Sequence, residues 1–324
     1  HDEQQVKFSK VSNFLNLREI GPSNVGGRTR AICIDYSNEN HILAAGVSGG
    51  VWESNNGGSS WSAVNDFSSS LAVTTMCQNP FDSKIYYYGT GESVGNSAGS
   101  IGSTLGVPGA GIFKSVDGGK SFNSLESTAA DSKFEQIWSV QHSLTQENTL
   151  YVGTDNAGLF KTTDGGKTFE LIYKTSNDVY DIETFKDSTI LFSVRRSGVF
   201  KLKEGEDKAT AVNNGLATTL SGRINIAKNK NFERVIYAVV AASNGTSCQA
   251  FYKSSDQGNT WVQKANPETS TGASFAQAWY DLLLGNSPTD TNFVVVGGVE
   301  PAYSRNGGQS WSNMTNTHSD YHEI

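Results

Sequence analysis

An eight-residue motif recurs five times in this chain of 324 residues and constrains its fold more than any other feature. The copies are SNNGGSSW (54–61), SVDGGKSF (115–122), TTDGGKTF (162–169), SSDQGNTW (254–261) and SRNGGQSW (304–311). All fit Ser/Thr-x-Asp/Asn-x-Gly-x-Ser/Thr-Trp/Phe. A short acceptor side chain followed by glycine favours a tight turn, and the closing aromatic residue can anchor that turn in a core. We therefore interpret the octets as structural turns whose acceptors are Asn56, Asp117, Asp164, Asp256 and Asn306.

The octets end a longer repeat of apolar segments. Pairs such as HILAAGVSGGVW (41–52), TLYVGTDNAGLF (149–160) and TILFSVRRSGVF (189–200) read as two strands joined by a turn, and a further apolar strand such as RAICIDY (30–36) precedes each pair. The third pair leads into LKEGEDKA (202–209), a degenerate copy without the octet. With it included, successive copies begin 40 to 61 residues apart. This spacing suits one four-stranded propeller blade of roughly 40–50 residues.

The repeat predicts an all-β chain, a β-propeller of four-stranded blades. Residues 30–317 are expected to form six blades, and residues 1–29 an N-terminal segment with a ring-closing outer strand. Residues 318–324 read as the first strand of a truncated next blade. We expect a seven-bladed ring or part of a larger propeller, within a longer polypeptide. A six-bladed ring with a loose tail is the alternative.

The octet resembles the Asp-box, or bacterial neuraminidase repeat, of sialidases, sortilin-type receptors and xyloglucan-hydrolysing propellers. The segments GPSNVGGRTRAI (21–32), GTGES (89–93), QAWYD (277–281) and HSDYH (318–322) look like those of large secreted Bacteroidetes-type proteins described as sortilin-like or glycosyl-hydrolase-like. The resemblance implies secretion or a cell-surface location. It does not imply one reaction, because one fold hosts many activities.

Charge and composition exclude some classes of partner. The formal net charge is −7 and no Lys/Arg cluster occurs, so a nucleic-acid partner is not expected. No apolar run approaches the roughly 20 residues of a membrane span. No phosphate-binding glycine loop or nucleophile motif is present, and we expect no cofactor apart from a divalent metal at one site considered below.

Ligands are expected on the face opposite the octets, which is formed by the segments that enter each first strand and those that join second to third strands. The largest such segment is residues 93–111, a lid or an inert insertion. Carboxylates and aromatic rings predicted near this face could bind a sugar, although each also has a structural interpretation. The binding candidates are Trp138, Asp155, Trp279, Tyr280 and Glu300.

Two further sets of residues suggest chemistry. His318, Asp320 and His322 alternate along a strand, so their side chains share one face, and two imidazoles with a carboxylate can bind a divalent metal. A structural network is the alternative. Glu92 and Asp320 are the candidates for a catalytic acid if the protein is a glycoside hydrolase.

Known hydrolase patterns match this chain poorly. A sialidase needs three arginines for the substrate carboxylate, and the inward candidates here are Arg28, Arg30, Arg195, Arg196 and Arg223. The segment GVSGGVW (46–52) lacks the carboxylate that xyloglucan-hydrolysing propellers carry there. The sequence therefore favours an exported domain that binds a glycan or protein partner. The alternatives are a glycoside hydrolase completed by absent chain, and a structural spacer or type IX secretion cargo domain.

Overall fold

A computed structural model of the chain describes residues 28–64, 67–93, 106–206, 208–315 and 321–322. These residues form six sheets, each of four antiparallel strands paired in chain order, with very little helix. The prediction of an all-β propeller with four-stranded blades is confirmed. The predicted ring-closing strand before residue 28 and most of the predicted strand at 318–324 lie outside the described residues.

The first three blades follow the predicted order of three strands, an octet and a short fourth strand. Blade 1 comprises β1 (Thr29–Asp35), β2 (Asn38–Gly46), β3 (Gly50–Ser54) and β4 (Ser62–Ala63). Blade 2 comprises β5 (Val73–Gln78), β6 (Tyr86–Thr90), β7 (Ile112–Ser115) and β8 (Asn123–Ser124). Blade 3 comprises β9 (Ile137–His142), β10 (Leu150–Thr154), β11 (Leu159–Thr162) and β12 (Glu170–Tyr173).

The next three blades repeat this order, and blade 4 keeps it without an octet. Blade 4 comprises β13 (Val179–Thr184), β14 (Thr189–Val194), β15 (Gly198–Lys203) and β16 (Thr210–Ala211). Blade 5 comprises β17 (Ile224–Lys228), β18 (Ile236–Ala241), β19 (Cys248–Ser254) and β20 (Val262–Gln263). Blade 6 comprises β21 (Leu283–Asn286), β22 (Val294–Gly297), β23 (Pro301–Ser304) and β24 (Ser312–Asn313).

Short helices occur only in the connections between blades of the described chain. The helix α1 (Glu126–Ala129) and a 3₁₀ turn (Ser132–Phe134) join blades 2 and 3, and α2 (Pro267–Thr271) joins blades 5 and 6. Asn266 caps α2 because its side-chain oxygen accepts hydrogen bonds from the amides of Glu268 and Thr269. No helix in the described chain is long and apolar enough to cross a membrane.

Within the described residues, the hydrophobic core consists of five clusters, each between two neighbouring blades. Leu43 of blade 1 and Tyr88 of blade 2 share one cluster, for example, and Phe251 of blade 5 and Val294 of blade 6 share another. The other three clusters join blades 2 and 3, 3 and 4, and 4 and 5. Full burial of such a side chain contributes about 1.5–3 kcal/mol. Each sheet is therefore stabilised mainly by its neighbours.

Each octet closes a turn with its own side chains. In blade 5, Ser254 Oγ accepts a hydrogen bond from the Gly258 amide (2.8 Å) and donates one to Asp256 Oδ1 (2.8 Å). Asp256 also accepts hydrogen bonds from the amide (2.9 Å) and hydroxyl (2.6 Å) of Thr260. Asn306 Oδ1 accepts the corresponding amide bond from Ser310 (2.9 Å). Asparagine therefore accepts the same backbone hydrogen bond in the turn as aspartate does, without a negative charge.

The octets also join blades. Trp261 of blade 5 donates its indole N–H to the carbonyl of Val212 in blade 4, and Trp311 of blade 6 donates to Ala265 of blade 5, both at 2.8 Å. Gly119 has φ +84°, and a Cβ there would come within 2.6 Å of Leu43 in the preceding blade. The closing aromatic residue and the second glycine of the octet therefore pack the turn against the preceding blade as well as against the blade to which the octet belongs.

We expect Asp256→Ala to lower the free energy of unfolding by about 1–2 kcal/mol, because it removes the acceptor of the Thr260 and Ser254 hydrogen bonds. Urea denaturation followed by tryptophan fluorescence measures this change. Asp256→Asn is the matched control and should lose less than half as much, since Asn306 makes the corresponding amide bond. Equal stability of the alanine variant and the wild type would contradict this account of the octet.

Candidate functional site

The six inner strands β1, β5, β9, β13, β17 and β21 surround a central channel that contains a cavity of about 260 Å³. We call the end opposite the octets, where the first strands begin, the loop-face mouth. The charged and aromatic residues that line the cavity are Arg30, Trp138, Tyr180, Asp181, Glu183 and Arg223, and His322 lines it as well. Because each inner strand begins at the same end of the ring, side chains from distant parts of the sequence meet here.

The carbonyl oxygen of Tyr280 joins two arginines at this mouth. It accepts hydrogen bonds from Arg30 Nη1 (3.2 Å) of blade 1 and Arg223 Nη1 (2.7 Å) at the start of blade 5. Arg223 Nε also donates to Asn225 Oδ1 (2.8 Å). Both arginines are buried. The shared carbonyl therefore draws two like charges together near the axis.

Glu92 supplies a compensating negative charge. Its carboxylate lies 3.1 Å from Arg28 Nη2 and 3.9 Å from Arg30 Nε, and the residue is 2% exposed. Burial raises the pKa of Glu92, and the charges of Arg30 and Arg28 oppose that shift. The predicted catalytic candidate is thus placed at the mouth, but as the buried partner of two arginines rather than as an open acid.

Trp138 provides an aromatic surface beside Arg223. The Trp138 and Tyr180 rings meet edge-on at 4.7 Å, and the Arg223 guanidinium carbon lies 5.3 Å from the Trp138 ring and 5.4 Å from the Tyr180 ring. Tyr180 is buried, whereas Trp138 is half-buried. These contacts fix the orientation of Trp138 while leaving part of its surface accessible.

A pair of carboxyl groups lies next to the aromatic surface. Burial, together with the neighbouring Asp178 carboxyl group, raises the pKa of Asp155 to about 7. Asp178 Oδ2 also accepts hydrogen bonds from Tyr180 Oη (3.0 Å) and Arg195 Nη1 (3.2 Å). The pair therefore places polar groups that can bind hydroxyls beside Trp138.

His322 contacts the same arginines. Arg30 Nη1 donates to His322 Nδ1 at 2.8 Å, and burial together with Arg30, Arg223 and Arg28 lowers the pKa of His322 to about 2. The other two residues of the predicted metal site, His318 and Asp320, lie outside the described residues. Within the described part of the chain no group of three His, Cys, Asp or Glu residues could hold a metal. The metal site stays a prediction, and the guanidinium groups around His322 oppose a cation there.

The remaining predicted residues are placed differently. Tyr280 is 1% exposed and forms part of the wall, since its ring contacts His322 at 4.6 Å and leaves no free face for a sugar. Trp279 is half-buried beside Tyr280. Glu300 is exposed, accepts a hydrogen bond from the Ser274 amide and does not line the cavity. Of the predicted residues, Trp138 lines the cavity, Glu92 and the Tyr280 carbonyl contact its arginines, and Glu300 contacts Ser274 instead.

Sequence analysis missed Asp178 and Tyr180 as members of this site. Both come at the start of β13, where Asp178 immediately precedes the strand. The segments that enter each first strand belong to the predicted ligand face, so the position of Asp178 just before β13 is the sequence signal that points to it.

Solved structures resemble this chain in fold. The GH74 enzyme of Niastella koreensis matches with a TM-score of 0.64 at 20% identity over 90% of this chain and 47% of the enzyme. YCF48 from Cyanidioschyzon merolae matches with a TM-score of 0.62 at 15% identity over 92% of this chain and 88% of YCF48. PorZ of Porphyromonas gingivalis, a surface component of the type IX secretion system, matches with a TM-score of 0.56 at 10% identity over 93% of this chain and 34% of PorZ.

These similarities establish a propeller fold shared with glycoside hydrolases and with bacterial surface proteins. The chain spans about half of the Niastella enzyme and a third of PorZ. No protein-family model matches the sequence. No curated protein matches it either.

The raised pKa of Asp155 predicts a pH-dependent stability. Because the pKa of Asp155 in the folded protein, about 7, exceeds the ordinary 3.8, the folded state binds the proton more tightly and loses stability as pH rises from about 4 to about 7. Asp155→Asn removes this loss. We expect the melting temperature of Asp155→Asn, relative to wild type, to be higher at pH 8 than at pH 5.

Asp117→Asn is the control for this measurement. Burial raises the pKa of Asp117, but hydrogen bonds from Ser121 and Ser115 outweigh it and hold the pKa below its usual value. Asp117 is therefore ionised in the folded and unfolded states from pH 5 to pH 8, and its variant should show a constant difference from wild type. Parallel pH profiles for Asp155→Asn and Asp117→Asn would refute the raised pKa of Asp155.

Proposed function

We propose that this chain is a glycan-binding propeller domain of a larger surface or secreted protein, and that the glycan binds at the loop-face mouth without being hydrolysed. The observation that carries the proposal is the half-buried Trp138, held in place by Tyr180 and Arg223 beside the Asp155–Asp178 pair. A sugar ring offers an apolar face for an indole and hydroxyls for neighbouring polar groups. The site offers both partners in one place.

Pre-organisation supports this assignment. The edge-on contact with Tyr180 and the guanidinium of Arg223 limit the rotation of Trp138, so little side-chain entropy is lost when a ring stacks on it. Near neutral pH, Asp155 is partly a carboxylic acid, which donates a hydrogen bond, and partly a carboxylate, which accepts one, because its pKa is raised to about 7. A sugar hydroxyl needs a partner of either kind.

A glycoside hydrolase is the second candidate. It draws support from the fold shared with GH74 enzymes, one of which, from Xanthomonas campestris, is described as a xyloglucanase. The arrangement of acids favours binding instead, since Glu92 is tied to Arg28 and Arg30 and Asp178 is tied to Arg195. A catalytic site would need a carboxylate from another part of the protein.

A structural or secretion role without a ligand is the third possibility, and the fold shared with PorZ is compatible with it. A domain without a ligand gives no reason for the half-buried Trp138 to lie beside the Asp155–Asp178 carboxyl pair. Binding of glycans by the purified domain separates this possibility from the first two.

We expect the purified domain to bind oligosaccharides on an array that includes xyloglucan and cello-oligosaccharides, and to release no reducing sugar from them. Trp138→Ala should weaken binding by about tenfold or more, which corresponds to about 1.4 kcal/mol. Titration calorimetry with the best array ligand measures the affinity, and a reducing-sugar assay measures turnover.

The matched control is Trp61→Ala, which removes a half-buried tryptophan from an octet on the opposite face. This variant should keep the wild-type affinity if both variants remain folded by circular dichroism. Turnover of any array glycan would refute the binding assignment in favour of hydrolysis. Absence of both binding and turnover would refute both and favour the structural role.

A further inference from the structure

One aromatic side chain lies across the octet-face end of the central channel. Tyr36 directly follows β1, whose first residues lie at the loop-face mouth. The ammonium nitrogen of Lys230 lies 5.3 Å from the centre of the Tyr36 ring. Lys230 belongs to the turn between β17 and β18 of blade 5, and blade 5 packs against blades 4 and 6 rather than against blade 1. This contact therefore spans the channel.

Groups from two further blades interact with Tyr36. Its amide donates a hydrogen bond to Gln78 Oε1 of blade 2 at 2.8 Å. Burial of the hydroxyl, together with the Cys33 and Cys77 thiols and the Glu183 carboxyl group of blade 4, raises the pKa of Tyr36 to about 12. A residue of blade 1 that interacts with blades 2, 4 and 5 lies near the axis of the ring.

The space beside β1 leads from the cavity to Tyr36. Side chains alternate along a strand, so Ile32 and Ile34 share one side of β1. Ile32 lines the cavity and is 37% exposed, and Ile34, which is closer to the octet face, is 51% exposed. Glu183 lines the cavity and also interacts with Tyr36. Tyr36 therefore lies between the cavity and solvent on the octet face.

Little packing holds Tyr36 in this position. The residue is 59% exposed and belongs to none of the five hydrophobic clusters in the described chain. Lys230 is exposed as well, and a cation–π contact at an exposed site is weak. Exposed side chains change rotamer on the picosecond-to-nanosecond timescale. Rotation of this one side chain is enough to uncover the end of the channel.

We propose that Tyr36 is a gate at the octet-face end of the channel, that Lys230 holds it closed, and that its opening connects the cavity with solvent on the octet face. A polar cavity of about 260 Å³ holds water in solution. A ligand that enters from the loop-face mouth has to displace this water, and the gate provides an exit at the other end. The proposal is independent of which ligand binds at the mouth.

The native cysteines can report on the gate. Cys33 is half-buried, interacts with Tyr36 and is not one of the residues that line the cavity, so a reagent on the octet face has to pass Tyr36 to reach it. Cys248 is buried in the cluster between blades 5 and 6 and is the internal control. Labelling of the folded domain with N-ethylmaleimide at pH 8, followed by peptide mass mapping, measures the rate at each cysteine.

We expect Tyr36→Ala to accelerate the labelling of Cys33 by about tenfold or more, because the side chain that covers the channel end is removed. Lys230→Met should accelerate it by about two- to fivefold, since only the cation–π contact is lost. Tyr36→Phe is the matched control and should label at the wild-type rate, because it keeps the ring. Tyr36 is uncharged at pH 8, so none of its variants changes the charge beside Cys33.

Three results would overturn the gate. The first is an equal rate of Cys33 labelling in Tyr36→Ala and the wild type. The second is a rate in Tyr36→Phe as fast as that in Tyr36→Ala, which would mean that the ring does not cover the channel. The third is an equal acceleration at Cys248, which would show general loosening of the fold. None of these results affects the proposed glycan binding, which the array tests separately.

Discussion

The structure depends on the burial of apolar sheet faces between neighbouring blades. A four-stranded sheet in which both faces are apolar is unstable alone, and each of the five clusters combines side chains from two blades. The octets reinforce this interface, because Trp261 and Trp311 each donate a hydrogen bond to the preceding blade. Because each blade must bury its apolar faces against its neighbours, the blades stack radially around an axis. The central channel is the space between their inner strands.

In the central channel, polar side chains rather than apolar ones have to find partners. Inner strands converge there, and side chains that point toward the axis are removed from bulk water without an apolar partner. The protein meets this constraint with paired groups, such as the two arginines on the Tyr280 carbonyl and the ion pairs of Glu92. Pairing at the centre is incomplete within the described residues, since His322 Nε2 has no partner. A ligand site can form where the fold leaves such groups unsatisfied.

Much of the fold was predictable because its determinants are local. The strand alternation, the octet chemistry and the spacing of the copies are all visible within about fifty residues, and blade 4 kept its strands although its octet is lost. The loop face was predictable for the same reason, and with it the region of Trp138 and Asp155. The contacts among the central residues were not predictable, because Arg223 and Tyr280 are separated by 57 positions and Arg30 and His322 by 292.

By itself, the sequence determined the all-β class, the six repeats and the role of the octet as a turn, since each depends on hydrogen bonds or apolar periodicity between near neighbours. Only the tertiary structure decided that Tyr280 is buried rather than a stacking surface, that Glu92 is an ion-pair partner, and that the pKa of Asp155 is raised beside Asp178. Burial and charge at these residues are set by side chains from several blades. The arrangement of the blades around an axis brings those side chains together. No local sequence pattern predicts these contacts.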